Sequence, residues 1–520
     1  MSKTLEDMEF EKYHGGKIMN NLANRSRMKE LLDSTGPGFC LAKWTQVTMH
    51  LGNGLTHSCH HPGAHKIPLD ELKENPSALH NTSFKKERRK EMLNGERPAE
   101  CDFCWRIEDN TKDFSDRVYK SLDHYSVYQH DLIKELTGSE DIFPSYVEIS
   151  FSNVCNLKCS YCTPNFSSKW GEEVSQHGVY KFPDGTDFGG DNDKQILNRE
   201  DNPYTEAFWK WFPEAVSHMH TLRITGGEPL LSKHTMKVID YLIENPQPDL
   251  EFAINTNGNP PNKIWEEFTS KINYIVEKKC IKNFTLFTSA EATGAQQEYS
   301  RFGLNWEQFE YNLDYFLKNT IGTRLVFMSA FNIFSLPTFV PFLNYVLSLK
   351  KKYCTSHFGQ WIEESGVNTN GITEYNNFEP VGEHGWRNRV GIDTPYVRSP
   401  KFLDVNNISM EIIEKYLLPA TNFMYQNLQA EEWDIVPGFE TREAAKLKRI
   451  FVDVLCAVKD ARNSDETSTN GNTAVNRANF YRYVNEYDIR RDTNFLETFP
   501  EYIEFYNLCK LEHLKLYHYV

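Results

Sequence analysis

The sequence predicts an α/β fold built around a partial (β/α)6 barrel, and three observations carry that expectation. Short β-rich runs alternate with helical periodicity from Tyr146 onward, three cysteines follow the first run, and a glycine pair follows the second. Such alternation gives parallel strands with helices outside them, and six units suit an open barrel better than a closed eight-fold one. Ligands of such a sheet bind at the C-terminal ends of its strands, where the cysteines and glycines fall.

The first strand is YVEISF (Tyr146 to Phe151), bounded by Pro144 and Asn153. Further strands are expected at His220 to Thr225, Leu250 to Asn255, Phe284 to Ser289, Arg324 to Ala330 and Ser356 to Ile362. Between them Met236, Ile239 and Leu242, then Trp306, Phe309, Leu313 and Phe316, recur at the spacing that lines one helix face. The polar, glycine-rich stretch from Asn165 to Asn202 reads as a long insertion, either a lid or a disordered loop. Beyond about residue 370 the strand pattern fades into helix-leaning aromatic segments, broken by the low-complexity loop Asn463 to Asn472. The expected regions are 1–140, a barrel over 141–370, and a mostly helical 371–520.

A length of 520 residues leaves room for about three domains, and 39% hydrophobic with 25% charged residues is the balance of an ordinary folded protein. The polar start and the lack of any run of about 18 apolar residues lead to the expectation of a cytoplasmic protein without a membrane segment. A formal net charge of -15 argues against nucleic acid as a partner. The basic run Lys85 to Lys90 (KKERRK) is read as a solvated helix face.

Eleven cysteines without an export signal point to metal or redox chemistry rather than to a disulfide framework. Cys280, Cys354, Cys456 and Cys509 stand singly and read as buried structural thiols. Cys155, Cys159 and Cys162 are spaced by four and three residues on a loop after the first strand. Three thiolates on such a loop can hold a 4Fe-4S cluster and leave one iron open. The alternatives are a zinc site completed from elsewhere and a two-cluster ferredoxin run. The ferredoxin run needs another cysteine soon afterwards, and none occurs before Cys280.

The CxxxCxxC spacing, with Tyr161 before the last cysteine, resembles the signature of the radical S-adenosylmethionine superfamily, and the likeness extends over about residues 146 to 365. HTLRIT runs into Gly226-Gly227-Glu228-Pro229, similar to the glycine-rich turn that binds the methionine amino group in that family. Asn255-Thr256-Asn257-Gly258 resembles the family's cofactor-facing TNG segment. Ser289-Ala290-Glu291 and the later Glu298-Tyr299-Ser300-Arg301-Phe302-Gly303 resemble its serine–acidic pair and EYxRxG element, which implies Ser289 and Arg301 at the methionine carboxylate or ribose. The acidic position is usually aspartate, so Glu291 departs from the pattern; an ion pair with Arg301 that only shapes the loop is the alternative.

Ahead of the barrel, Cys40, thirteen residues, Gly54-xxxx-Cys59 and Cys101-Asp-Phe-Cys104 resemble the twitch module, the shortened relative of the SPASM domain. Residues 43 to 59 resemble its hairpin, and residues 85 to 109 its helix leading into the last cysteine pair. The likeness implies that Cys40, Cys59, Cys101 and Cys104 fully ligate an auxiliary 4Fe-4S cluster, although such modules commonly follow the barrel. A four-thiolate zinc knot is the alternative, with His60, His61 and His65 as spare ligands.

The implied chemistry is reductive cleavage of S-adenosylmethionine, with electrons from a flavodoxin or ferredoxin, to a 5'-deoxyadenosyl radical that abstracts hydrogen from a substrate. A peptide or protein side chain is the leading substrate class; a sugar or nucleotide is the alternative enzyme reading, and a zinc-binding scaffold the non-enzymatic one. Methyl transfer through Cys280 or Cys354 has no local signature, and no general acid or base stands out. Tyr487 to Asp492, followed by Phe499-Pro500-Glu501, resembles a tail of some twitch-bearing members and reads as a charged helix packed on a neighbour.

Overall fold

The structure, a computed structural model, describes residues 3–12, 18–190, 201–354, 389–429, 438–463 and 471–517. The strand expected at Ser356 to Ile362, the Cys354 side chain and most of the loop at Asn463 to Asn472 lie outside the described residues. The chain opens with α1 (Leu22–Thr35), the strands β1 (Gln46–His50), β2 (Leu55–His57) and β3 (His65–Lys66), then α2 (Ser83–Leu93) and α3 (Asp102–Asn110). The barrel strands are β4 (Tyr146–Ser150), β5 (Thr221–Thr225), β6 (Gln247–Thr256), β7 (Ile281–Thr288), β8 (Thr323–Met328) and β9 (Val390–Asp393). Between them lie α4 (Ser168–His177), α5 (Pro203–Ala215), α6 (Lys233–Glu244), α7 (Asn262–Glu277), α8 (Trp306–Asn319) and α9 (Phe339–Leu349). The helices α10 (Thr441–Asn463), α11 (Gly471–Arg491) and α12 (Ile503–Tyr517) follow.

These nine strands form one sheet in the order β9-β8-β7-β6-β5-β4-β1-β2-β3. Strands β4 to β9 pair in parallel and in chain order, the connectivity of an open (β/α)6 barrel. One row of paired residues shows what holds them. Met49, Ile149, Ile224, Ile254, Leu286, Leu325 and Val390 lie side by side across the parallel strands, each at 0% exposure. Side chains alternate along a strand, so half-buried Glu148, Arg223, Asn255 and Phe287 point to the opposite, inner face.

The helices cover the apolar face. Val238, Ile239 and Leu242 of α6 are buried, as are Phe309, Leu313 and Phe316 of α8, while Met236 and Trp306 pack partly buried on the same core. Ser232 caps α6 by accepting from the His234 N–H, and Asn305 caps α8 by accepting from the Gln308 N–H. No helix among the described residues is long and apolar enough to cross a membrane.

Several expectations are corrected. The sixth parallel strand observed is β9, whose four residues Val-Gly-Ile-Asp are too few to show alternation. The hairpin β1–β2 forms as expected, but β1 also pairs in parallel with β4 and extends the barrel wall. The insertion is not one featureless loop: α4 and a small hairpin, Tyr180–Lys181 with Asp187–Phe188, are anchored by buried Trp170, Tyr180, Phe182 and Phe188. Residues 191–200 lie outside the described residues. The KKERRK run is only half a solvated face, because Lys85 and Arg89, one helical turn apart, are buried against His80 at 2.9 and 3.0 Å. Cys280 and Cys509 are buried, but Cys456 is exposed, since the buried stripe of α10 runs through Leu447, Ile450, Val454 and Val458.

Candidate active site and its cysteine loop

Strand β4 ends at Ser150 and delivers the chain into the loop that carries Cys155, Cys159 and Cys162. The next strand folds back over that loop. The Gly227 and Glu228 N–H groups donate to the Ser152 and Val154 carbonyls at 3.2 and 2.7 Å. A Cβ on Gly227 would stand 2.3 Å from the Val154 oxygen, and one on Gly226, at φ +129, 2.6 Å from the Ser150 hydroxyl. The glycine pair is therefore required by the cysteine loop's own backbone.

Glu228 turns inward, where its carboxylate accepts from the Asn257 N–H at 2.6 Å, the Thr256 hydroxyl at 2.8 Å and the Leu230 N–H at 3.0 Å. Burial pushes this carboxyl up to about 7, against those three donors. Pro229 opens the short turn that follows and is buried. The GGEP and TNG segments are thus tied to each other, and Asn257 Nδ2 reaches on to Asn156 at 2.7 Å and to the Cys155 sulfur at 3.9 Å.

Burial raises all three thiols. Burial first, then Cys159, pushes Cys155 up to about 12, and burial followed by Cys159 and Cys155 raises Cys162. Arg301 stands against them: its Nη1 is 3.5 Å from the Cys159 sulfur, and its Nη2 also donates to the Tyr161 hydroxyl. The Arg301–Glu291 ion pair is buried, with Nε and Nη2 at 3.0 and 2.8 Å from one carboxylate oxygen while the Ser300 hydroxyl donates to the other at 3.0 Å. Ser289 and Asn255 remain half-buried at the ends of β7 and β6.

Two polar features near the barrel's inner wall and the hairpin escaped the sequence reading. Arg223 lies on the inner face, donating to Asn255 Oδ1 at 2.8 Å and stacking 4.4 Å over Phe287; a lone cation inside an apolar strand is the signal that could have found it. His50 and His57, on β1 and β2, share a 3.1 Å hydrogen bond, and His57 Nδ1 meets the Cys59 carbonyl at 2.6 Å. The tail expected to pack on a neighbour lies against the EYxRxG element, with Tyr487 donating to the Tyr299 carbonyl and Tyr299 donating to Asp488 at 2.9 Å.

Cys40, Cys59, Cys101 and Cys104 line a single cavity at the start of α3, together with Trp105, Asp116 and Arg117. Burial, then Cys59, Cys104 and Cys101, pushes the Cys40 thiol up to about 12. Buried Lys43, paired with Glu100, adds positive charge beside Cys101. Of the spare imidazoles, His61 pairs with Asp116 at 2.7 Å and His65 with the Thr82 hydroxyl at 2.9 Å. Among the described residues no three His, Cys, Asp or Glu side chains stand close enough to share one metal ion.

Glu173 of α4 braces the far side of the cysteine loop, taking Arg491 at 2.9 Å and Lys158 at 2.7 Å. Burial alone would raise its carboxyl; Arg491, Lys158 and the Tyr180 hydroxyl overcome burial and bring it down to about 2. A depressed carboxyl stabilises the fold above its ordinary value near 4.5 and loses that contribution as the pH falls toward about 2. The expected result is that wild type loses roughly 3 kcal/mol across that window, while Glu173→Gln shows a flatter acid limb in unfolding followed by circular dichroism.

Residues 149–338 match the radical SAM superfamily. The chain is 29% identical over 114 residues to the GTP 3',8-cyclase of Nautilia profundicola, covering 22% of this chain and 27% of the relative. It is 23% identical over 249 residues to the radical SAM cyclopropyl synthase TigE of Paramaledivibacter caminithermalis, 46% of this chain and 45% of the relative. To the GTP 3',8-cyclase of Psychromonas ingrahamii it is 28% identical over 166 residues, 30% of this chain and 41% of the relative. The chain spans less than half the length of each of these relatives. No solved structure matches it. Residues 149–338 thus carry a radical SAM superfamily domain. The domain implies a 4Fe-4S cluster and S-adenosylmethionine as cofactors.

Proposed function

We propose that Cys155, Cys159 and Cys162 hold a 4Fe-4S cluster with one open iron, and that the enzyme uses it to draw hydrogen from a peptide or protein side chain. The observation that carries the cluster assignment is the loop itself: three buried or half-buried thiols at the C-terminal end of β4, clamped between the glycine turn and Arg301. When bound, cluster and cofactor together supply reductive cleavage of S-adenosylmethionine to methionine and a 5'-deoxyadenosyl radical. The chain's own residues bind and orient. Gly226 to Pro229 form the turn at the methionine end, half-buried Asn255 and Ser289 offer polar contacts, and Tyr161 and Arg301 close the side next to Cys159. Glu291, with both carboxylate oxygens already taken, acts through Arg301.

The auxiliary set, Cys40, Cys59, Cys101 and Cys104, is assigned a second, fully ligated 4Fe-4S cluster, as in the twitch module it resembles, and four thiols around one cavity support it. Its role is electron relay or structural support. The proposed reductant is a flavodoxin or ferredoxin, and the proposed compartment is the cytoplasm. A second substrate reading, a nucleotide, is favoured by the relatives named GTP 3',8-cyclase and by Arg223 stacked on Phe287 in the inner wall.

Anaerobic reconstitution tests the assignment. The expected content is about eight irons per wild-type chain and about four in a Cys101→Ala, Cys104→Ala double variant, read by iron and sulfide assay. Zinc in place of iron, or an unchanged count in the double variant, would contradict it.

A further inference from the structure

We propose that α11 is the positioning element of the cysteine loop: Tyr483 and Arg491, far outside the matched domain, hold the backbone that presents Cys155, Cys159 and Cys162 to one cluster. The inference rests on the cluster assignment above and adds the residues that set the loop's shape.

Four consecutive carbonyls of the loop accept hydrogen bonds from side chains. Leu157 O takes the Ser167 hydroxyl at 2.7 Å, Lys158 O takes Arg491 Nη1 at 2.7 Å, Cys159 O takes Trp170 Nε1 at 2.8 Å, and Ser160 O takes the Tyr483 hydroxyl at 2.7 Å. Within the loop only Cys159 O gains a further donor, the Cys162 N–H at 3.0 Å, and leaving such carbonyls buried and unpaired is costly. Its other side is held by pairing of Lys158–Cys159 with Arg301–Phe302 and by the Ser160 N–H donating to the Ser300 carbonyl at 2.8 Å.

The donors from α11 are themselves fixed. Tyr483 is fully buried. Arg491 is 5% exposed, donates to both Glu173 oxygens at 2.9 and 3.2 Å, and lies 3.9 Å over Tyr487 and 4.9 Å over Trp170. Groups that orient the ligands of a metal centre govern how tightly it is held, and hydrogen bonds and net charge around an iron–sulfur cluster set its potential. Arg491 supplies both: a bond to the carbonyl just before Cys159 and a positive charge against the loop.

The test uses anaerobically reconstituted wild type, Tyr483→Phe, Arg491→Lys and Arg491→Met, each shown to be folded by circular dichroism. Two quantities are read: the rate of iron loss to a chelator, and the midpoint potential of the cluster whose electron paramagnetic resonance responds to S-adenosylmethionine. Tyr483→Phe is expected to lose that cluster's iron about tenfold faster with little change in potential. Arg491→Met is expected to lose it faster still and to titrate at a more negative potential. Arg491→Lys restores the potential but not the retention, since an ammonium cannot bridge Glu173 and the Lys158 carbonyl as the guanidinium fork does. Folded Tyr483→Phe and Arg491→Met proteins with wild-type iron loss and potential would overturn the role of α11 and leave the cluster assignment standing. A wild type with no such cluster on Cys155, Cys159 and Cys162 would overturn both.

Discussion

Replacing Cys159 with alanine is expected to reduce 5'-deoxyadenosine formation to the uncatalysed background, while the iron of the auxiliary set stays in place. Cys159 is the middle one of the three proposed ligands, and its sulfur lies 3.5 Å from the Arg301 guanidinium. Two thiolates cannot hold a cubane with an open iron against solvent, so the loss is expected to be nearly complete rather than graded. The measurement is chromatographic assay of deoxyadenosine after reduction by dithionite in the presence of S-adenosylmethionine. Wild-type turnover by a folded Cys159→Ala protein would remove this residue from the site.

Glu291→Ala is expected to be the most damaging change outside the cysteines. It strips a fully buried guanidinium of its partner, and an uncompensated buried charge costs about 3–5 kcal/mol. Arg301, released, also loses its aim at Cys159 and Tyr161. A lowered midpoint in chemical denaturation, together with weakened S-adenosylmethionine binding, is the expected pair of results. Glu291→Gln, which keeps the shape and one acceptor, is expected to fall between alanine and wild type; equal stability of all three proteins would show that the pair only decorates the loop.

Much of the sheet is legible in the sequence because five of the six barrel strands fall in β-rich runs bounded by turn residues. Ile149, Ile224, Ile254, Leu286 and Leu325 fall in segments read as strands, and they pair in one row. Strand β9 escapes because Val-Gly-Ile-Asp is four residues long, and its glycine answers to a neighbour: a Cβ on Gly391 would come 2.9 Å from the Arg324 guanidinium. The place of β1 in the barrel wall escapes because, although Gln46-Val-Thr-Met-His50 alternates, its parallel partner β4 lies far along the chain.

The same distinction between local and distant governs the site. The cysteine spacing and the glycine pair are local patterns, and the structure ties them together through the backbone bonds between residues 152–154 and 227–228. The braces on the loop are not local. Arg491 reaches Lys158 across 333 residues and Tyr483 reaches Ser160 across 323, and no periodicity within α11 announces either partner. What the sequence does show there is the charge of Arg490-Arg491-Asp492, whose value depends on the burial that only the fold supplies.

In the proposed site Cys155, Cys159 and Cys162 present an iron with an open position to S-adenosylmethionine. The most direct measurement is electron–nuclear double resonance on the reduced, reconstituted enzyme with cofactor labelled with 17O in the methionine carboxylate. An oxygen coupling to the cluster is expected in wild type and is expected to disappear in Cys159→Ala. A fully iron-loaded, reduced wild type that shows no coupling would contradict it.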